Sequence, residues 1–205
     1  MYKSIQHLNG NLLVATDCET TGLVPGWNEV WQVAFIPLNE KLQPSDELPI
    51  CDLLIKPLHP ERIQPNCPGR SKIREAIEHG HDPTVAFELW ETWVSRLGIP
   101  ENKRIVPLCH NWGFEHRYYV EWMGFENFNH YIDTRARDTL TIAQFLMDRA
   151  DFSGEKIPFA GTRTTLNVVA SHFGIETVQS NLHDAVYDSF ITAKVYETML
   201  KEHII

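Results

Sequence analysis

The segment Leu12-Leu13-Val14-Ala15-Thr16-Asp17-Cys18-Glu19-Thr20-Thr21-Gly22-Leu23 changes character at its middle. Its first four residues form an apolar run of the kind found in strands covered on both faces, and the polar string that follows carries the strand out into a glycine turn. Side chains two positions apart on a strand share a face, so Asp17 and Glu19 project together while Cys18 packs behind them. Two carboxylates then occupy one small volume. Such a pair repels and raises one of its pKa values unless a cation sits between, and hard oxygen donors suit Mg²⁺ or Mn²⁺. In isolation the pair also reads as a solvated acidic turn, so its meaning depends on what else reaches it.

Working outward, Glu29 to Leu38 is rich in Val, Trp, Phe and Ile, and Asn39-Glu40-Lys41 reverses the chain toward Cys51 to Pro57, which predicts a three-stranded meander. Prolines 60, 65 and 68 make the next stretch a loop, followed by a short helix near Ser71 to His79. Asp82 caps a helix with Pro83 at its first position, Leu89, Trp93 and Leu97 recur along it, and Gly98 stops it. Arg104 to Cys109 reads as a fourth strand, Phe114 to Met123 as a helix and Tyr131-Ile132 as a short fifth strand. Further helices are expected at Asp138 to Met147, Leu166 to Phe173 and His183 to Lys201. Strands first and then alternation with helices indicate an α/β layer fold with a mixed sheet. No internal repeat or long linker divides the chain, so residues 1–205 are expected to form a single domain.

The composition is that of a globular protein: 205 residues, 43% hydrophobic and 22% charged. Eighteen Lys+Arg against 27 Asp+Glu give a net charge of −9, without the basic field by which nonspecific duplex binders neutralise many phosphates. Any nucleic acid must be gripped locally. Cys18, Cys51, Cys67 and Cys109 include no C-x-x-C pair, and MYKSIQHLNG lacks the plan of a signal peptide, so a reduced, cytoplasmic setting is expected. No apolar run approaches the roughly 18 residues that span a bilayer, which argues against a membrane role.

Two further motifs bear on the acidic pair. His110-Asn111-Trp112-Gly113-Phe114-Glu115-His116 follows the fourth strand directly, so its polar groups emerge at the same sheet edge as Asp17 and Glu19. The last helix carries Asp188 five positions after His183, and at about 100° per residue the two lie about 140° apart. A regular helix cannot aim both at one point, so His183 must approach from the lead-in loop or the first turn, where a mobile base can meet an incoming water. The ordered set D-x-E-T-T-G-L, H-N-x-x-F-acid and H-x(4)-D resembles the DEDDh (DnaQ-like) 3′–5′ exonucleases of the ribonuclease H-like superfamily. The likeness runs from about residue 11 to residue 200 and takes in Thr162 to Thr165, the Asp138-Thr139-Leu140 helix start and Gly174.

The resemblance implies a ribonuclease H-like fold, with a mixed five-stranded sheet flanked by helices on both faces. It also implies two divalent metals, Mg²⁺ or Mn²⁺, and release of nucleoside 5′-monophosphates from single-stranded or frayed 3′ ends. In its terms Asp17 bridges both metals, Glu19 and Asp188 complete the nucleophile-side site, and His183 takes the proton from the attacking water. Glu115 stands where the family usually has Asp, one methylene longer; it or the neighbouring His116 serves the second metal. Thr20, Thr21, Gly22 and Leu23 resemble the cradle of the terminal nucleotide, with Asn111 and Phe114 on the opposite wall and Trp112 available to stack on a base. Trp27 and Trp112 are the tryptophans expected to be exposed; Trp31, Trp90, Trp93 and Trp122 are expected to pack. Cys67, His79 and His81 fit no standard zinc spacing. The tail Lys201 to Ile205 is expected to be a frayed helix end that could dock a partner.

The Asp-to-Glu departure leaves a second reading open, a catalytically attenuated nucleic-acid-binding or polymerase-associated proofreading-type subunit. A phosphodiesterase for small nucleotides is a third. The motifs do not choose DNA or RNA, and a second copy of the chain or a polymerase stays open as a partner.

Overall fold

The computed structural model describes residues 5–159 and 163–202. Among these, five strands form one sheet in the order β3-β2-β1-β4-β5. β1 (Leu12–Thr20), β2 (Val30–Pro37) and β3 (Cys51–Leu54) make the antiparallel meander, and β4 (Ile105–Cys109) and β5 (Arg137–Asp138) are added parallel to β1 on its other side. Seven helices of the described residues surround the sheet: α1 (Arg70–His79), α2 (Pro83–Arg96), α3 (Trp112–Met123), α4 (Phe125–Tyr131), α5 (Thr139–Ser153), α6 (Leu166–His172) and α7 (Ala185–Lys201). This is the mixed five-stranded α/β arrangement expected from the sequence.

Strand alternation divides the core between two layers. Leu12, Val14 and Cys18 of β1 pack with Trp90, Trp93 and Tyr119 of α2 and α3. Leu13 and Ala15 face the other way, onto Ala193 and Tyr196 of α7. Continuing that alternation, Asp17 and Glu19 lie on the α7 side. β1 runs on to Thr20, although its last pair with β4 is Ala15 to Leu108. Beyond that pair the β4 side of β1 is an open edge, and this overhang carries both acids.

Several elements differ from the sequence expectation. Tyr131 closes α4, a helix not expected at all, and Ile132 makes only an isolated bridge to Ile105; the fifth strand is Arg137–Asp138. The apolar Tyr-Ile pair imitates a strand, whereas the polar surface of α4 is held by Asn127 and Asn129, which donate to the carbonyls of Met123 and Phe125. On α2 the buried stripe is Ala86, Trp90, Trp93 and Leu97, and Leu89 is 40% exposed. α5 runs past Met147 to Ser153, where Gly154 at φ 69° ends it in the left-handed cap that glycine adopts most easily. α7 starts at Ala185 rather than His183, with Asp184 as its N-cap. Thr162 and His203 to Ile205, part of the Thr-rich stretch and of the docking tail, lie outside the described residues.

Candidate active site

Three chain segments meet at the β1 overhang. Asp17, Glu19, Glu115, His183 and Asp188 line one cleft of about 170 Å³, together with Cys18, Thr20, Gly22, Leu23, Pro68 and Phe114. β1 contributes the first pair. α3 begins just past the end of β4, so its fourth residue, Glu115, reaches the open edge; its side chain is 3% exposed. Asp188 sits in the first turn of α7, and His183 precedes that helix.

The i to i+5 conflict is resolved by the backbone. His183 is outside the helix at φ 60°, in the left-handed region, and its N–H donates to Asp188 Oδ2 at 3.0 Å. One ligand atom each of Glu19, His183 and Asp188 lies within 4.8 Å of the others, the arrangement of a three-donor metal site. Asp188 Oδ1 and Glu115 Oε2 are buried without a hydrogen-bond partner. A buried acceptor left unpaired is costly, and a cation is the partner that such a set of acids lacks.

The electrostatics agree. Burial pushes Asp17 well above the ordinary carboxylate range, and the charges of Glu19, Glu115 and Asp188 push it further. Glu19 is raised to about 8 by burial and then by Asp188, and Asp188 to about 6, again mainly by burial. Burial likewise raises Glu115. His183 moves the other way: burial, then Lys72, holds it below 6.5, so the imidazole is neutral at neutral pH. The cluster is therefore set to bind protons in the absence of cations and to give them up when cations arrive.

The RNase T exonuclease family model matches residues 14–196. The chain belongs to this family of DEDDh-type exonucleases. No match was found among curated proteins. Among solved structures, the fold is similar to cell-death related nuclease 4 (CRN-4), with 19% identity over 94% of this chain and 64% of that one, at a TM-score of 0.69. It is also similar to E. coli Exonuclease I in complex with a dA16 oligonucleotide, with 16% identity over 93% of this chain and 41% of that one, at 0.66. The zinc-bound E. coli Exonuclease I complex with single-stranded DNA gives 18% identity, 94% and 41% coverage, and 0.68. The chain spans less than two thirds of each of these neighbours. At such identities they share a fold with it.

Within the exonuclease frame, the expected substrate-binding residues divide. Leu23 is 67% exposed at the cleft mouth and Phe114 forms a wall of it. Thr20 donates to the Gly22 carbonyl at 2.6 Å, and Thr21 is fully buried, its hydroxyl accepting from the Glu29 N–H, so Thr21 shapes the turn rather than offering a side chain to the cleft. A Cβ on Gly22 would meet the Asn28 amide at 2.6 Å. Asn111 and Trp112 do not line the cleft. Asn111 is the left-handed residue before α3, at φ 91°. Trp112 packs against Phe128, Tyr119 and His116, so the expectation that it stands free to stack on a base is corrected; as the first residue of α3 it is half-buried against the core under α4. Trp27 is exposed, with the Arg62 guanidinium over its ring at 4.2 Å, and Trp31, Trp90, Trp93 and Trp122 pack.

Other residues place the site through contacts that the sequence reading did not show. Asp138 caps two helices: it accepts from Leu140 in α5 and, across the sheet edge, from the N–H groups of Asn111 and Trp112 at 2.9 and 3.2 Å, which fixes the start of α3 and hence Glu115. The Cys67 thiol donates to the Thr20 carbonyl and the Tyr118 hydroxyl to the Gly22 carbonyl, so Cys67 is occupied by the turn and not by His79 or His81. All four cysteines are free and buried. Lys72 binds Asp184 at 3.6 Å, and Gly69, at φ 69°, passes so close that a Cβ would lie 3.2 Å from the His183 carbonyl and 3.0 Å from Trp31. The sequence signals touching these were the Asp138 helix start, Cys67 and the proline-rich loop that contains Pro68. Among the described residues no helix is long and apolar enough to cross a membrane.

Proposed function

We propose that the chain is a metal-dependent 3′–5′ exonuclease that releases nucleoside 5′-monophosphates from single-stranded or frayed 3′ ends of DNA or RNA, within one exonuclease domain. The observation that carries this reading is the convergence of four carboxylates from three segments, with Glu115 Oε2 and Asp188 Oδ1 buried and unpartnered, beside the His183 imidazole. Oxygen donors of this number suit two Mg²⁺ or Mn²⁺, which Asp17, Glu19, Asp188 and Glu115 would hold. Bound there, the ions supply Lewis acidity, easing ionisation of the attacking water and offsetting charge on the leaving 3′ oxygen.

The residues divide the remaining work. His183 accepts the water's proton on a ring nitrogen, which its lowered pKa keeps unprotonated at neutral pH. Asp188 orients that loop by taking the His183 N–H. Leu23 and Phe114 flank the terminal base, and the Gly22 backbone approaches its sugar. Exonuclease I is solved with single-stranded DNA, which supports an unpaired end as substrate. The test is a panel of 5′-labelled DNA and RNA oligomers with free or blocked 3′ hydroxyls, incubated with Mg²⁺, Mn²⁺ or chelator. Stepwise shortening from the free 3′ end, only with metal, is expected. Digestion of blocked ends, or full digestion in chelator, overturns the reading.

A further inference from the structure

At the opposite end of the sheet lies a concavity of about 470 Å³ lined by His7, Lys103, Arg104, Arg135 and Arg137. Its residues come from the segments that enter the three parallel strands: the lead-in to β1, the lead-in to β4, and the loop between the Ile105–Ile132 bridge and β5. In a chain of net charge −9, four of the 18 Lys and Arg line this one hollow. The carboxylate that faces them there, Asp133, is taken by Arg135 through a two-pronged bond at 3.0 and 2.7 Å. Arg137 is steadied by the Arg135 carbonyl at 3.1 Å and stands 3.5 Å from His7. Three cations are thus left over, among three asparagine amides that also line the hollow.

We propose that this hollow is a second binding site, which grips the phosphate backbone of a single-stranded nucleic acid whose 3′ end lies in the carboxylate cleft; the proposal rests on the exonuclease reading. The cleft itself repels a polyanion when cations are absent, and the chain has a net negative field, so affinity for a long strand has to be concentrated elsewhere. Arg and Lys surrounded by amide donors are the chemistry that phosphate oxygens take. From Asn11 to Glu19 β1 rises about 26 Å at its usual 3.3 Å per residue. At the axial rise of a stacked, B-form strand, about 3.4 Å per phosphate, that span takes roughly eight nucleotides, and fewer where the strand is extended. Short fragments end before the hollow; longer strands reach it.

The experiment compares the full chain with a Lys103→Gln/Arg104→Gln/Arg137→Gln variant, both carrying Asp17→Asn so that nothing is cleaved, and leaves Arg135 to hold Asp133. Fluorescence anisotropy of labelled oligomers of about 20 and about 3 nucleotides is followed against salt. For the long strand the slope of log affinity on log salt is expected to fall by about 2, at roughly 0.7 for each phosphate that is no longer neutralised, and for the short one to stay unchanged. An unchanged slope for the long strand, or an equal loss for the short one, overturns the proposal. Inorganic phosphate added at constant ionic strength is expected to leave long-strand affinity unchanged; full displacement would make the hollow a free-phosphate site and overturn the strand assignment. If the triple variant melts early, Arg104→Gln alone is read, with an expected fall of about 0.7. Hydrolysis of the short oligomer by the unmodified chain with Mn²⁺ reports separately on the exonuclease reading: its absence fails that reading, whereas an unaltered salt slope fails this one.

Discussion

The two ends of β1 carry opposite charge for opposite reasons. At the C-terminal end four carboxylates converge, Lys72 offsets only part of the charge on Glu19 and Asp188, burial raises Asp17, Glu19 and Asp188, and neighbouring acids add to it, Asp184 in the case of Asp188. At the N-terminal end, Arg135 binds Asp133 and holds its carboxyl below the usual range, while further cations stand beside the pair. The first end holds buried acceptors without partners, which a bound cation would satisfy. The second is self-consistent, and its excess charge is available outward.

The comparison breaks most visibly in turnover. Asp17→Asn and His183→Ala are each expected to cut kcat on a short oligomer by about 10³-fold or more, with circular dichroism unchanged. Asp17→Asn should also raise the melting temperature of the metal-free protein, because folding without cations must protonate the Asp17 carboxyl or bury its charge, a cost that the amide does not carry. Full activity in either variant would dissolve the active-site assignment.

Next in size is the response of stability to pH. Glu19 and Asp188 have folded-state pKa values of about 8 and about 6, above their unfolded values, so their protonation favours the folded state. That contribution is complete below about pH 4 and is lost as pH rises through about 6 and about 8. In chelator the melting temperature should therefore decline from about pH 6 to about pH 8.5, on the order of 5 °C, and Mn²⁺ should restore it, more at the higher pH. A metal-free melting temperature that climbs steadily over this range would contradict the charge assignment.

Glu115 sharpens the same end. Its side chain reaches the cleft despite the extra methylene, so Glu115→Asp should stay within about tenfold of the parent in kcat, while Glu115→Gln should lose about 100-fold and shift the Mn²⁺ half-saturation upward. A gain of much more than tenfold in Glu115→Asp would mark the natural residue as a handicap. The smallest effect belongs to the other end. Asp133 has a lowered folded pKa, so its contribution is present at neutral pH and is lost as pH falls through that value. Its partner Arg135 is 81% exposed, so solvent screens the pair and keeps its contribution small. Asp133→Asn should lower the melting temperature by about 2 °C at neutral pH, and by less as the pH falls through the lowered carboxyl value.

The acidic end was legible in the chain because its chemistry is written in short motifs. D-x-E on a strand end needs only alternation to be read, and the impossibility of aiming His183 and Asp188 from one helix face correctly placed His183 in a loop. The meander and the mixed character of the sheet followed from the strand runs and the later alternation, whereas the fifth strand was expected at Tyr131-Ile132 and lies at Arg137–Asp138. What escaped depends on distant segments meeting. The role of Asp138 in capping α3 across the sheet edge has no local signal, nor has the burial of Trp112 against Phe128, since α4 itself was not recognised. The basic hollow was invisible for the same reason: its cations lie in three separate lead-ins, and a net charge of −9 conceals a local excess of the other sign.

The bond between the His183 amide and Asp188 ties the loop before α7 to an acid of the cleft. Any outward displacement of residues 181–184 would break it and leave Asp188 without that donor. Cation occupancy should therefore slow deuterium uptake at the His183 amide far more than at neighbouring amides, making that single proton a reporter of how firmly the loop is held.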